Sequence, residues 1–117
     1  MKSIGIVGSR RRDDTPDLMS VINAFDELYE EGDVIVSGGC PKGGDRFAEV
    51  IAKKRGLSIL IHYPDWGKHG KAAGFQRNSK IVDDSDVIIA CVAADRKGGT
   101  EDTVKKAEKL GKKVILV

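Results

Sequence analysis

The sequence predicts a three-layer α/β domain with a five-stranded, mainly parallel sheet. Short apolar runs recur along the 117 residues, segments with helical three- and four-residue spacing separate them, and glycine-rich turns close several of the runs. Strands that alternate with helices pair in parallel, and right-handed crossovers then place helices on both faces of the sheet. We therefore expect residues 1–117 to form a single domain.

Each predicted strand is a run of apolar, mostly β-branched residues with little polar alternation. Such runs are typical of strands that helices cover on both faces. The predicted strands are residues 3–8, 33–39, 57–63, 85–93 and 112–117.

Amphipathic segments predict four helices between these strands. The first has the clearest start, because Thr15 fits the N-cap, Pro16 the first helical position and Asp17 the first turn. In the last helix, helical spacing places Val104, Ala107 and Leu110 toward the sheet. The helices are predicted to span residues 15–32, 46–55, 75–84 and 100–110.

The segment PDWGKHGKAAG, between the third strand and the third helix, is predicted to be a long irregular loop. Long loops in compact domains often serve as lids or binding loops. Trp66 would stack on a nucleobase or fill an apolar gap, and Lys68 and Lys71 would meet phosphate or remain solvated. Arg77 and Asn78 follow on the first turn of the helix.

Composition excludes several classes of protein. The 20 Lys and Arg nearly balance the 18 Asp and Glu, so the net charge of +2 gives no nucleic-acid footprint. No apolar stretch is long enough for a signal peptide or a membrane span, which predicts a cytoplasmic protein without a membrane partner. Cys40 and Cys91 lie far apart without ligand spacing, so we predict no metal site, and no cofactor is expected.

Candidate binding residues follow the first strand, because ligands of parallel α/β sheets bind at the carboxyl ends of the strands. Gly8 permits a tight turn, Ser9 offers a hydroxyl and Arg10 offers donors for phosphate or carboxylate. Arg11 and Arg12 are better explained as solvated side chains of a basic loop.

The second strand runs into SGGCPKGGD, which places glycines on both sides of a turn before a helix. We take Ser37, Gly38, Gly39 and Gly44 as ligand-binding candidates, because glycines allow close backbone approach and a helix N-terminus favours an anion. The pattern is neither a Walker A motif nor a GxGxxG fingerprint. Asp45 fits either a bond to a ribose hydroxyl or a helix cap.

After the fourth strand, KGGTEDTV repeats this arrangement, since Gly98, Gly99 and Thr100 open another helix. Two glycine-rich helix starts that face one crevice predict a ligand with one or more phosphates. Glu101 and Asp102 are either first-turn acids that complement the helix dipole or candidate catalytic carboxylates.

Taken together, the segments VGSR, SGGCPKGGDRFAE, PDWGKHGKAAGFQRN and KGGTEDTV resemble the YspA-like group of the SLOG superfamily. That superfamily is named for the DNA-processing protein DprA/Smf and the Lonely-guy enzymes. The resemblance covers nearly the whole chain and implies a Rossmann-like fold that binds nucleotides or their derivatives. It implies ligand contacts at both glycine-rich segments, at Asp45 and at Arg77.

Three functions remain open from the sequence. We favour binding or sensing of a phosphorylated nucleotide derivative, such as an ADP-ribose-like ligand or a nucleoside monophosphate. A Lonely-guy-type hydrolase would need a positioned carboxylate, with Asp102, Glu101 or Asp45 as candidates. The position three residues after Thr100, where this motif carries an acid, is Thr103 here, and Asp102 is one position away. Single-stranded nucleic acid binding, as in DprA, would place basic side chains on phosphates and stack Trp66 on a base. Those basic residues are Arg10, Arg11, Arg12, Lys68 and Lys71. A homo-oligomer is compatible with the apolar helix faces.

Overall fold

All five predicted strands join one parallel sheet in the computed structural model, which describes residues 1–117. The strand order is β3-β2-β1-β4-β5, and every pair of neighbours is parallel. This confirms the predicted α/β class and its five-stranded parallel sheet. The strands are β1 (Ser3–Gly8), β2 (Val34–Ser37), β3 (Ile59–Ile61), β4 (Val87–Cys91) and β5 (Lys113–Leu116).

Helices cover both faces of the sheet and give three layers. The helices are α1 (Thr15–Leu28), α2 (Gly44–Arg55), α3 (Trp66–His69), α4 (Ala73–Asp84) and α5 (Gly99–Lys109). Helices α1 and α2 pack on one face in a cluster that includes Phe25 and Phe47, and α4 and α5 pack on the other with Ile81 and Val104.

The apolar strands form two cores because neighbouring side chains on a strand point to opposite faces. Ile4 and Ile6 of β1 belong to the core under α1 and α2, whereas Val7 belongs to the core under α4 and α5. Each of these side chains is nearly or fully buried. This double burial explains why the strands read as continuous apolar runs.

The structure corrects both ends of the first helix. Asp14, not Thr15, is its N-cap, and the Asp14 N–H donates to Oδ2 of Asp17 (3.3 Å). The helix ends at Leu28 rather than near Gly32, because the carboxylate of Asp33 accepts the Glu30 N–H (2.9 Å) in the turn that leads into β2.

The segment predicted to be irregular is largely helical. Asp65 starts α3 by accepting the Lys68 N–H (3.0 Å), a 3-10 turn spans Gly70–Ala72, and α4 begins at Ala73 rather than at Phe75. A four-residue helix has too little periodicity to be recognised from the sequence.

Two smaller differences affect α2 and α5. Helix α2 begins at Gly44, two residues earlier than predicted, so Asp45 lies in its first turn. Leu110, predicted to face the sheet, is 58% exposed because it is the C-cap of α5 and the helical register ends there.

The chain order creates a crevice at the carboxyl ends of β1 and β4. The chain moves from β1 outward to β2 and β3, then crosses back to β4 on the other side of β1. Loops on either side of such a reversal diverge and leave room for a ligand. No helix has the length and apolar character needed to cross a membrane.

Candidate functional site

A cleft of about 700 Å³ opens at this crevice. The loops that follow β1, β2 and β4 line it, and α3 and the first turns of α4 close its side. The structure brings into this lining every predicted ligand-binding residue except Ser37 and Gly44. Those that line the cleft are Gly8, Ser9, Arg10, Gly38, Gly39, Asp45, Trp66, Arg77, Asn78, Gly98, Gly99 and Thr100.

Positive charge dominates the cleft. Its charged lining residues are one carboxylate, Asp45, and five basic side chains. A groove lined by one sign of charge attracts the opposite sign. The arrangement favours an anionic ligand, and the basic residues are Arg10, Arg11, Lys71, Arg77 and Lys97.

Three exposed aromatic rings line the cleft beside the basic residues. Tyr63, Trp66 and Phe75 are 66%, 57% and 53% exposed, respectively. We call these three residues the aromatic wall. Exposed rings at a cleft provide stacking surface for a planar ligand group. Sequence reasoning found Trp66 but missed Tyr63 and Phe75, although both flank the candidate segment.

The first glycine loop, residues 37–45, is packed against the protein itself. A Cβ at Gly38 would lie 2.6 Å from Nη1 of Arg77, and one at Gly44 would lie 2.2 Å from the carbonyl carbon of Val7. Gly44 therefore brings the start of α2 against β1, as the glycine of a tight strand-to-helix packing does. Ser37 is fully buried and lies behind the cleft lining.

Two backbone N–H groups of the first glycine loop donate to protein carboxylates. The Gly43 N–H donates to Oδ1 of Asp13 (2.7 Å), and the Cys40 N–H donates to Oδ2 of Asp45 (3.0 Å). The Gly43 N–H and the guanidinium of Arg46 hold the pKa of Asp13 below its usual value. Burial raises the pKa of Asp45, and the Cys40 N–H and the charge of Arg77 offset this only in part.

The second glycine loop, residues 97–100, is open. A Cβ at Gly98 or Gly99 would meet no atom within 4 Å, and both glycines are exposed. The N–H groups of Gly99 and Thr100, at the start of α5, donate to no protein acceptor. Free N–H groups at a helix N-terminus form a binding site for an anion.

Neighbouring residues of α4 hold the two glycine loops. The guanidinium of Arg77 donates to the carbonyl of Gly38. The side-chain N–H of Asn78 donates to the carbonyl of Gly99 (3.3 Å) and to Oδ2 of Asp102 (3.1 Å). Asn78 is buried, so these bonds fix the second loop relative to α4.

The two candidate catalytic carboxylates of α5 lie outside the cleft lining, whereas Asp45 is part of it. Asp102 pairs with Lys106 (2.8 Å), and Glu101 accepts two bonds from Arg96 (both 2.9 Å). The α5 residue that does line the cleft after Thr100 is Thr103, a buried hydroxyl side chain. The shift by one position noted in the sequence therefore turns the Asp102 carboxylate toward α4.

Arg11 and Arg12 are not simply solvated. Arg11 donates to both oxygens of Asp95 (2.8 and 2.7 Å) and to the carbonyl of Lys97 (2.9 Å). It thereby joins the loop after β1 to the second glycine loop. Arg12 donates to Asp17 (2.9 Å) and to the carbonyl of Val92 (3.0 Å). Arg10 alone of the three has no protein partner.

Comparison with known proteins adds two relatives, while no family model matches the chain. The chain is 31% identical over 122 residues to the Gene 61 protein of Mycobacterium phage D29, covering 98% of this chain and 95% of that protein. It also superposes on the molybdenum cofactor binding protein of the phototrophic bacterium Rippkaea orientalis. That match has a TM-score of 0.76 at 30% identity and covers 98% of this chain and 75% of that one. Identity and coverage at this level place the chain in one protein family with the phage Gene 61 protein.

Proposed function

We propose that the chain binds a small phosphorylated molecule with a planar ring, of the nucleotide-derivative class, in this cleft. The observation that carries the proposal is the cleft's charge, with five basic side chains around one carboxylate, beside an open helix N-terminus. A phosphate gains from both features, because backbone N–H groups and cationic side chains each donate to its oxygens.

The phosphate is proposed to bind at the second glycine loop. There the free N–H groups of Gly99 and Thr100 point away from the helix, and the exposed side chains of Arg10 and Lys97 also line the cleft. The helix dipole of α5 adds to their attraction for a negative group.

The planar group is proposed to stack on the aromatic wall. The Tyr63 ring lies where it would touch a Cβ at Gly39 (2.5 Å), next to the first glycine loop. The Phe75 ring lies beneath the ammonium of Lys106 (5.8 Å) on α5. The wall therefore runs from the first glycine loop toward α5, whose N-terminus is the second glycine loop, which suits a ring system joined to a phosphate.

We further propose that residues 1–117 are one ligand-binding domain of the YspA-like group of the SLOG superfamily. The motifs that support this assignment supply the first strand's loop, both glycine loops and the α3–α4 segment around one cleft. A Lonely-guy-type hydrolase is less well supported, because no acid of α5 lines the cleft. We therefore favour binding over hydrolysis.

The molybdenum cofactor is a second candidate ligand. The observation that favours it is the 30% identity to a molybdenum cofactor binding protein over nearly the whole chain. This cofactor also joins a phosphate to a fused ring system, so the same wall and loop fit its chemistry. The shared requirement of the two candidates is a phosphate attached to a planar ring.

Calorimetric titration with AMP, ADP-ribose, adenosine and inorganic phosphate tests the proposal. We expect AMP to bind and adenosine to bind at least about tenfold more weakly, because a charged hydrogen bond contributes about 1.5–3 kcal/mol. Replacing Arg10 and Lys97 together by alanine should weaken AMP binding, whereas Lys105→Ala, exposed on α5, should not.

A further titration with the molybdenum cofactor separates the two ligand classes. Binding of the molybdenum cofactor with no response to any nucleotide would assign the cleft to the second candidate. If no phosphorylated compound binds at millimolar concentration, the proposed function is wrong.

A further inference from the structure

We propose that Asp45 is a built-in anion that fills the first glycine loop, so that the cleft selects ligands that are anionic at one end only. This inference rests on the proposed phosphate site at the second glycine loop. It concerns which members of the phosphorylated ligand class bind, and it makes Asp45 a specificity-determining residue.

The first glycine loop closes around the Asp45 carboxylate. Asp45 is only 8% exposed, yet it lines the cleft. Its Oδ2 accepts the Cys40 N–H at 3.0 Å and lies 4.0 Å from Nη1 of Arg77. Backbone N–H groups of a glycine-rich loop together with an arginine are the usual partners of a bound phosphate. Here a protein carboxylate has taken that place.

The glycine at position 38 makes this arrangement possible. A Cβ at Gly38 would lie 2.9 Å from Oδ2 of Asp45 and 2.6 Å from Nη1 of Arg77. The loop is therefore shaped by its internal charged pair, and the space beside Gly38 belongs to protein atoms. Nothing comparable lies beside Gly98 or Gly99 of the second glycine loop.

A second carboxylate closes the other part of the first loop. Asp13 accepts the Gly43 N–H at the N-cap of α2 (2.7 Å) and also pairs with Arg46 (2.8 Å). An anion that approached this end would find those donors occupied and would face the charge of Asp45. Like charges at close range repel, and the repulsion is stronger where water is excluded.

The two ends of the cleft thus have opposite preferences. The second glycine loop attracts a phosphate, while the Asp45 end favours hydrogen-bond donors such as hydroxyl or amino groups. The ligand class that fits is a monophosphate of a ring compound with neutral donor groups, rather than a compound with phosphates at both ends.

Calorimetric titration of wild type, Asp45→Asn and Asp45→Ser with AMP and adenosine 3′,5′-bisphosphate tests the inference. Glu31→Gln is the matched control, since Glu31 is an exposed acid in the turn before β2. This turn lies at the amino ends of the strands, opposite the cleft. We expect wild type to bind the bisphosphate no more tightly than AMP. In both Asp45 variants the ratio of the two dissociation constants should shift at least about tenfold toward the bisphosphate.

The outcomes separate this inference from the proposed function. Wild type that binds the bisphosphate more than about tenfold tighter than AMP overturns the inference without any variant. Folded Asp45 variants with an unchanged ratio also overturn it, and they would assign Asp45 a purely structural role. If wild type binds neither compound, the phosphate site itself is wrong, and the inference fails with it.

Discussion

The two glycine loops look alike in sequence but differ in what surrounds their glycines. In the first glycine loop, a Cβ at Gly38 or Gly44 would collide with protein atoms, and protein carboxylates accept the N–H groups of Cys40 and Gly43. In the second, Gly98 and Gly99 face open space and the N–H groups of Gly99 and Thr100 are free. One loop uses glycine to bring protein segments together, and in the other the glycines leave the start of a helix open. A glycine-rich helix start is therefore not by itself a phosphate site.

Alanine in each loop should give the largest contrast. Gly44→Ala places a methyl group 2.2 Å from a backbone carbon of Val7, so we expect a loss of about 3 kcal/mol or more in the free energy of unfolding. Gly99→Ala has no such neighbour and should cost less than about 1 kcal/mol. Urea denaturation measures both variants.

Gly99→Ala should instead affect ligand binding. Gly99→Ala should fold normally but weaken AMP binding, because its methyl group enters the proposed phosphate site. A Gly99→Ala protein that is as destabilised as Gly44→Ala would remove the contrast between the loops.

Asn78→Ala should loosen the second glycine loop alone. It leaves the Gly99 carbonyl and Asp102 without their buried donor, and such losses cost about 1–3 kcal/mol. We expect weaker AMP binding as well, because the loop is no longer held against α4. Ser79→Ala, whose hydroxyl bonds only within α4, is the control. Unchanged AMP affinity in the Asn78 variant would show that the second glycine loop keeps its position without Asn78.

The effect of Asp13→Asn on stability should depend on pH, because Asp13 caps the first glycine loop as a carboxylate. The folded pKa of Asp13 lies below its unfolded value of about 3.9, so its contribution is present above about pH 4 and is lost as the pH falls through the folded pKa. The stability difference between wild type and Asp13→Asn should therefore be full at pH 7 and shrink below about pH 4. Denaturant titrations across that range measure this stability difference. A difference that stays constant with pH would contradict the assignment of Asp13 as a cap.

Glu101→Gln should have the smallest effect. Glu101 pairs with Arg96 beside the second glycine loop, and because the Arg96 side chain is half exposed, water weakens the contribution of this pair to stability. We expect nearly wild-type stability and AMP affinity, with Glu108→Gln as the matched control. Release of free base from AMP by wild type, abolished in Glu101→Gln, would instead establish a catalytic role for this acid.

Local patterns were sufficient to predict most of the fold. The apolar runs matched all five strands, because strands buried on both faces carry a signal that depends on few neighbours. Boundaries were less accurate where a side chain several residues away ends or starts an element. Asp33 accepts the Glu30 N–H in the turn that follows α1, and Asp65 begins the four-residue helix α3.

The sequence by itself determined the strands, the order of the helices and the loops that meet at the carboxyl edge of the sheet. It could not determine which glycines are free, because that depends on contacts between residues far apart in the chain. The neighbours that decide this include Arg77 for Gly38 and Val7 for Gly44. Likewise, Asp102 faces Asn78 rather than the cleft because α4 packs on α5. Only tertiary packing assigns such partners, since local propensity contains no information about them.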